Sequence, residues 1–181
     1  MTEYRAWITQ AASDYGCISR LYVGSDSSTY CHAIAKCQQA MEKSVKALVA
    51  SLAANRTLTG IRIGPAHAVT RFLGTLQRLP KLPENRDIQK SLLGLFGSHI
   101  AGEIKSLDAL APKWPAPNAL PARNTEYPFG GNERRPWRCP AQDGVFSKNE
   151  VARYRALAFR IVNGCSSIIS ALERVPVTKK S

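Results

Sequence analysis

The sequence lacks the features that are typical of secreted proteins and of membrane proteins. No apolar run reaches the roughly 20 residues that a membrane-spanning helix needs. Its first residues, MTEYRAWITQ, place an acid and an arginine before any apolar run, unlike a secretory signal peptide. The five cysteines are odd in number and form no C-x-x-C pair, which argues against a disulfide framework. We therefore expect a cytoplasmic protein that neither enters nor crosses a membrane.

Metal and nucleotide motifs are also missing. Cys31 and His32 are adjacent, so their side chains would diverge by about 100° on a helix and would not meet at one ion together with Cys37. No G-x-x-x-x-G-K-[ST] string is present, which removes the phosphate-binding P-loop. The sequence predicts no metal site and no cofactor.

Acidic residues are scarce. The 181 residues include 13 Asp and Glu against 25 Lys and Arg, for a net charge of +12. This balance favours polyanionic partners, with nucleic acid ahead of an anionic membrane. A basic cytosolic protein without such a partner is the alternative.

Strand patterns are absent, and apolar residues instead recur at helical spacing. The periodicity predicts an all-α fold, a single domain over residues 1–181. Five helices are expected, three of them long, at 4–23, 29–54, Pro65 to Leu79, 84–111 and 148 to about 174. Short connections favour an up-down antiparallel bundle.

Residues 112–147 break the helical pattern, because seven of the eleven prolines lie there around FGGNERRPWRCP. We predict a long loop rich in proline, glycine and arginine before the last helix. SKNE (147–150) then matches a capping box that would open the last helix, and residues 175–181 form a basic tail.

Four strings resemble the HEPN domains, a small all-helical family of prokaryotic toxins and defence proteins. QAMEKSVKAL (39–48) is similar to their second-helix motif, and WITQAASDY (7–15) to their first helix. PAHAVTRFLGTL (65–76) and ARNTEYPF (122–129), with VFSKNEVARYRALAFRIV (145–162), follow in the family's order. Taken alone, Glu42 and Lys46 form a favourable i,i+4 pair that could simply brace the bundle.

The resemblance implies a catalytic pair, Arg62 and His67, which fit the family's Arg-x4–6-His spacing. In metal-independent RNA cleavage the ribose 2′-hydroxyl attacks the adjacent phosphate, so a base must take its proton and a cation must hold the phosphoryl charge. Histidine and arginine suit those roles. With Pro65 as the first helical residue, His67 would lie in the first turn, where the helix dipole favours neutral imidazole. Ile63 departs from the family, since active members usually have a polar residue after the arginine.

Further arginines are candidates for binding RNA phosphates. Arg71 would lie one turn after His67 on the same helix face, and a solvated side chain is the alternative. The loop offers Arg123, Arg134, Arg135 and Arg138. Trp137 lies among them, either as a surface on which bases stack or as an anchor of the loop in the core.

The sequence thus predicts an RNA-directed, HEPN-like protein of a toxin or defence system. As an enzyme it would be a metal-independent endoribonuclease with a composite site in a homodimer, a state that the resemblance implies. The alternative is a non-catalytic RNA- or nucleotide-binding subunit of a larger defence complex. A nucleotidyltransferase-like antitoxin is a further partner that this family suggests.

Overall fold

The structure is a computed structural model that describes residues 1–22, 26–55, 69–77, 86–111, 121–132, 134 and 136–174. Within these ranges it is all-α, as predicted, and contains no strand. The helices are α1 (Glu3–Tyr22), α2 (Tyr30–Ala54), α3 (Thr70–Gln77), α4 (Arg86–Phe96), α5 (Ser98–Asp108) and α6 (Lys148–Arg174). A short 3-10 turn, Ser27–Thr29, precedes α2.

Helix α2 is the centre of the core. Its predicted apolar stripe is confirmed, since every member of it is fully buried: Ile34, Cys37, Met41, Val45, Leu48 and Leu52. Trp7 of α1 lies near Lys46, and Leu21 near Thr29, so the start of α1 faces the end of α2. The two helices are therefore antiparallel, and the remaining up-down order stays a prediction.

Helix α6 also runs antiparallel to α1 and shares the core. Arg5 pairs with Glu173, whereas Tyr15 lies beside Phe159, with ring centroids 5.8 Å apart. The predicted α6 stripe is buried, including Ile161 and Cys165 at 0% exposure. Among the helices described, α6 is the one long and apolar enough to cross a membrane by length and composition, and its apolar stripe packs into this core.

The helix predicted over 84–111 is two helices. Gly97 follows the last residue of α4 and has an extended backbone conformation. It caps α5, because its carbonyl accepts hydrogen bonds from the backbone N–H groups of Ile100 and Ala101. A glycine inside a helix lowers the stability of the helix by about 1 kcal/mol relative to alanine. Interrupting the helix at Gly97 therefore loses little free energy. The predicted core residues on both sides are nevertheless buried, from Ile88 to Leu107.

The predicted third helix also differs in its bounds. Val69 lies in a turn and α3 begins at Thr70, five residues after the predicted start at Pro65. The backbone N–H of Thr70 donates to Oδ2 of Asp108 at 2.7 Å, so a buried carboxylate from the end of α5 holds this helix start. Pro65 and Leu79 lie outside the described residues.

The described part of the loop, 121–132 with 134 and 136–147, is anchored at both ends. Phe129 and Arg138 exchange backbone hydrogen bonds of 3.0 and 2.9 Å, forming an isolated antiparallel bridge. Val145 and Phe146 are buried in the core. The predicted capping box is confirmed, because Glu150 accepts from the Ser147 backbone N–H at 2.9 Å while Ser147 Oγ accepts from the Glu150 N–H at 3.2 Å.

Candidate functional site

The polar residues of the first two helical motifs meet across the α1–α2 interface. Asp14, only 3% exposed, accepts from Lys36 Nζ at 3.1 Å and is paired with Lys43. Burial opposes the charge on this carboxylate, but the hydrogen bonds from Lys43 and Lys36 outweigh it and lower the pKa of Asp14. The arrangement fastens α1 to α2.

A second buried pair lies further along the same interface. Lys46 donates to Glu42 Oε1 at 2.6 Å, and its ammonium lies 5.1 Å from the centre of the Trp7 ring. Lys46 and Glu42 are 4% and 8% exposed. The helix-2 motif therefore contributes to packing, in agreement with the bracing role that the sequence left open.

The Asp14 cluster predicts acid sensitivity. A carboxyl group whose pKa is lowered by folding stabilises the fold above its ordinary pKa of 3.8, and that stability is lost as pH falls through the lowered value. We expect the free energy of unfolding in urea to decline below about pH 4 in the wild type, with a weaker decline in Asp14→Asn. Asp87→Asn, at an exposed α4 position, is the control. An equal acid-induced decline in Asp14→Asn and wild type would contradict the assignment.

A cleft of about 370 Å³ opens beside α2. Its walls come from α2, from the segment that follows α5 and from the turn at 124–127. It is lined by Ala35, Gln38, Gln39, Glu42, Ala111, Glu126 and Tyr127. Residues from the helix-2 motif and from the ARNTEYPF string thus share one concave surface.

The candidate catalytic residues Arg62 and His67 lie outside the described residues. Because α3 begins at Thr70, His67 does not lie in the first turn of this helix, and that prediction is wrong. The chain that follows them reaches Thr70, which is held by Asp108 at the end of α5. Ala111, which follows Asp108 by three residues, lines the cleft.

Trp137 is exposed, so of the two alternatives for this residue, the one that anchors the loop in the core is wrong. The side chain is 64% exposed and lies against Gly131, where a Cβ atom would come within 2.8 Å of the indole ring. Gly131 has φ of 115°, a conformation that glycine alone adopts readily. The backbone therefore supports one side of the indole and leaves much of the ring in solvent.

The candidate phosphate-binding arginines have different surroundings. Arg71 and Arg134 are exposed, whereas Arg138 is half-buried and donates to the Asp143 carbonyl at 3.3 Å. Arg123 donates to Glu150 Oε1 at 2.7 Å and lies 4.2 Å from the centre of the Phe146 ring. Its guanidinium thus holds the loop to α6. Arg135 lies outside the described residues.

Sequence reasoning missed the pairing of Asp14 with two lysines and the role of Glu126 and Gln39 as cleft residues. Only the NTEY pattern signalled the turn that carries Glu126, because an asparagine side chain commonly accepts a hydrogen bond from the backbone N–H two residues later. In the described part of the chain, no group of three or more His, Cys, Asp or Glu side chains is arranged to hold a metal ion.

No protein-family model, no curated protein and no solved structure matches the chain.

Proposed function

We propose that this protein binds single-stranded RNA through the loop between α5 and α6, as an RNA-directed, HEPN-like protein of the cytoplasm. The observation that carries the proposal is the exposed Trp137 ring supported by Gly131. A flat, exposed ring that is supported by the backbone suits stacking on an unpaired base.

The charge of the chain supports a polyanionic partner. Arg134 is exposed three residues before Trp137, and Arg138 follows it directly, so cations flank the aromatic ring in sequence. A net charge of +12 adds long-range attraction for phosphates. This combination of stacking and cationic groups is typical of proteins that bind single-stranded nucleic acid.

Replacing Trp137 by alanine tests the proposal. We expect affinity for a short fluorescein-labelled single-stranded RNA, measured by anisotropy, to fall on the order of tenfold, since one base–aromatic stack contributes about 1–3 kcal/mol. Phe159→Ala is the matched control, because Phe159 is a 55% exposed aromatic residue on α6. Equal binding by Trp137→Ala and wild type would overturn the role of the loop.

RNA cleavage is the second candidate function. It is supported by the Arg62–His67 spacing. In this proposal Arg62 holds the phosphate and His67 transfers protons, and a homodimer brings two such pairs together. The reaction leaves a 2′,3′-cyclic phosphate and needs no metal.

A non-catalytic subunit is the alternative within the same proposal. Such a protein would bind RNA with the same loop and act within a larger defence assembly, or with a nucleotidyltransferase-like antitoxin. Ile63, apolar where active family members usually have a polar residue, favours this alternative. The nuclease and the non-catalytic subunit are distinguished by whether the purified protein cleaves RNA without a partner.

A further inference from the structure

The cleft beside α2 has the size and chemistry of a small binding site. Its volume of about 370 Å³ lies within the range of small-molecule sites, about 300–1,000 Å³, and accommodates a single base. Its polar lining consists of two carboxylates, two amides and one phenol. In a chain with a net charge of +12, this lining is unusual, and it favours a ligand rich in N–H groups over a phosphate.

Two of these polar groups are already engaged. Gln38 donates from Nε2 to the Leu107 carbonyl at 2.6 Å, and its Oε1 accepts from Thr125 Oγ1 at 3.3 Å. Glu42 accepts from Lys46. These groups shape the wall of the cleft.

Glu126 and Gln39 retain hydrogen-bonding capacity. Within the described ranges, no side chain or backbone group pairs with the exposed Glu126 carboxylate. Gln39 Oε1 accepts from Lys36 Nζ at 2.8 Å, and because an ammonium can only donate, this bond fixes which end of the amide is oxygen. The Gln39 amide therefore keeps its N–H donors. The cleft thus offers the N–H donors of one amide and a carboxylate with two acceptor oxygens.

One RNA base complements that set. The Watson–Crick edge of guanine presents the O6 acceptor followed by the adjacent N1–H and N2–H donors, and these two donors match the two oxygens of one carboxylate. Adenine and cytosine present a donor beside an acceptor, and uracil places one donor between two acceptors. Reading of unpaired bases on this edge, with stacking on aromatic side chains, is the usual mode of sequence-specific RNA recognition.

The turn that carries Glu126 is held rigidly. Asn124 Oδ1 accepts from the backbone N–H groups of Glu126 and Tyr127 at 2.9 and 2.7 Å. Thr125 is buried and its N–H donates to the Leu110 carbonyl at 3.1 Å. The carboxylate and the 59% exposed Tyr127 ring therefore start from a fixed backbone, which lowers the entropic cost of binding.

We propose that this cleft binds the base of an unpaired guanosine, with Glu126 accepting from N1–H and N2–H, Gln39 donating to O6, and Tyr127 stacking on the ring. The inference rests on the proposed function, because it names the nucleotide that the bound RNA presents. It makes the cleft the source of sequence preference and leaves the Trp137 loop as a sequence-tolerant contact.

The test measures binding of labelled oligouridines that carry a single central guanosine, inosine, 2-aminopurine or adenosine. Wild type should prefer guanosine over adenosine on the order of tenfold, as expected for one good bidentate pair. Inosine lacks the N2 amino group, and 2-aminopurine lacks both N1–H and the O6 acceptor. Each should bind more weakly than guanosine and more tightly than adenosine, with inosine ahead of 2-aminopurine. Glu126→Gln should abolish the preference for guanosine.

Glu103→Gln is the matched control, since it also removes one negative charge, here from α5, and should change the affinity for all four oligonucleotides equally without altering the preference. Equal binding of all four oligonucleotides by wild type would overturn the guanosine site while leaving the proposed RNA binding intact. A preference that persists in Glu126→Gln would overturn the role of Glu126. If no oligonucleotide binds, both proposals fail.

Discussion

Lys46→Ala is expected to lower the free energy of unfolding by about 3–5 kcal/mol. Lys46 is 4% exposed, and its removal takes the ammonium away from the buried Glu42 carboxylate. It also removes an aliphatic stem and a cation from beside the Trp7 ring. Urea denaturation followed by circular dichroism measures the change.

Two further variants separate the charge effect from lost packing. Lys105→Ala, at an exposed α5 position, should change the free energy of unfolding by less than about 0.5 kcal/mol. The double variant Glu42→Gln with Lys46→Met removes both charges and should be more stable than Lys46→Ala. A Lys46→Ala protein as stable as Lys105→Ala would show that the helix-2 motif does not brace the α1–α2 interface.

His67→Ala is expected to reduce RNA cleavage by at least about a hundredfold, because general acid–base catalysis contributes about 10²–10⁴ in rate. Arg62→Ala should have a comparable effect through lost charge stabilisation. The measurement uses labelled total RNA and tRNA in EDTA, with detection of the 2′,3′-cyclic phosphate. His99→Ala, at an exposed α5 position, is the matched control.

The melting temperature of His67→Ala should stay close to that of the wild type. RNA cleavage by wild type and by His99→Ala, but not by His67→Ala or Arg62→Ala, would support the composite site. Cleavage that is equal in wild type, His67→Ala and Arg62→Ala would contradict it. An inactive wild type that still binds RNA would favour the non-catalytic subunit.

The helical core was predictable because its signal is local. The stripe from Ile34 to Leu52 follows from residue spacing along one helix, and the Ser147–Glu150 capping box spans only one turn. The break at Gly97 was only partly predictable. A glycine weakens a helix, but whether the helix ends there depends on packing against other elements.

The candidate site depended on contacts between distant parts of the chain. Gln39 and Glu126 line one cleft although 87 positions separate them, and no spacing rule links a helix to a turn across that distance. The exposure of Trp137 was equally undetermined, because it depends on how the loop folds, with the indole against Gly131. Sequence composition favours a polyanionic partner, which stays a prediction, whereas only tertiary structure indicates which surfaces could contact such a partner.

The most direct measurement of RNA binding at the loop is photo-crosslinking of the wild-type protein to a short single-stranded RNA that contains 4-thiouridine, followed by mass spectrometry of the peptides. The account predicts nucleotide adducts on the peptide that carries Trp137, and their loss when unlabelled single-stranded RNA competes. Adducts confined to other surfaces, or none under conditions that crosslink a known RNA-binding protein, would contradict it.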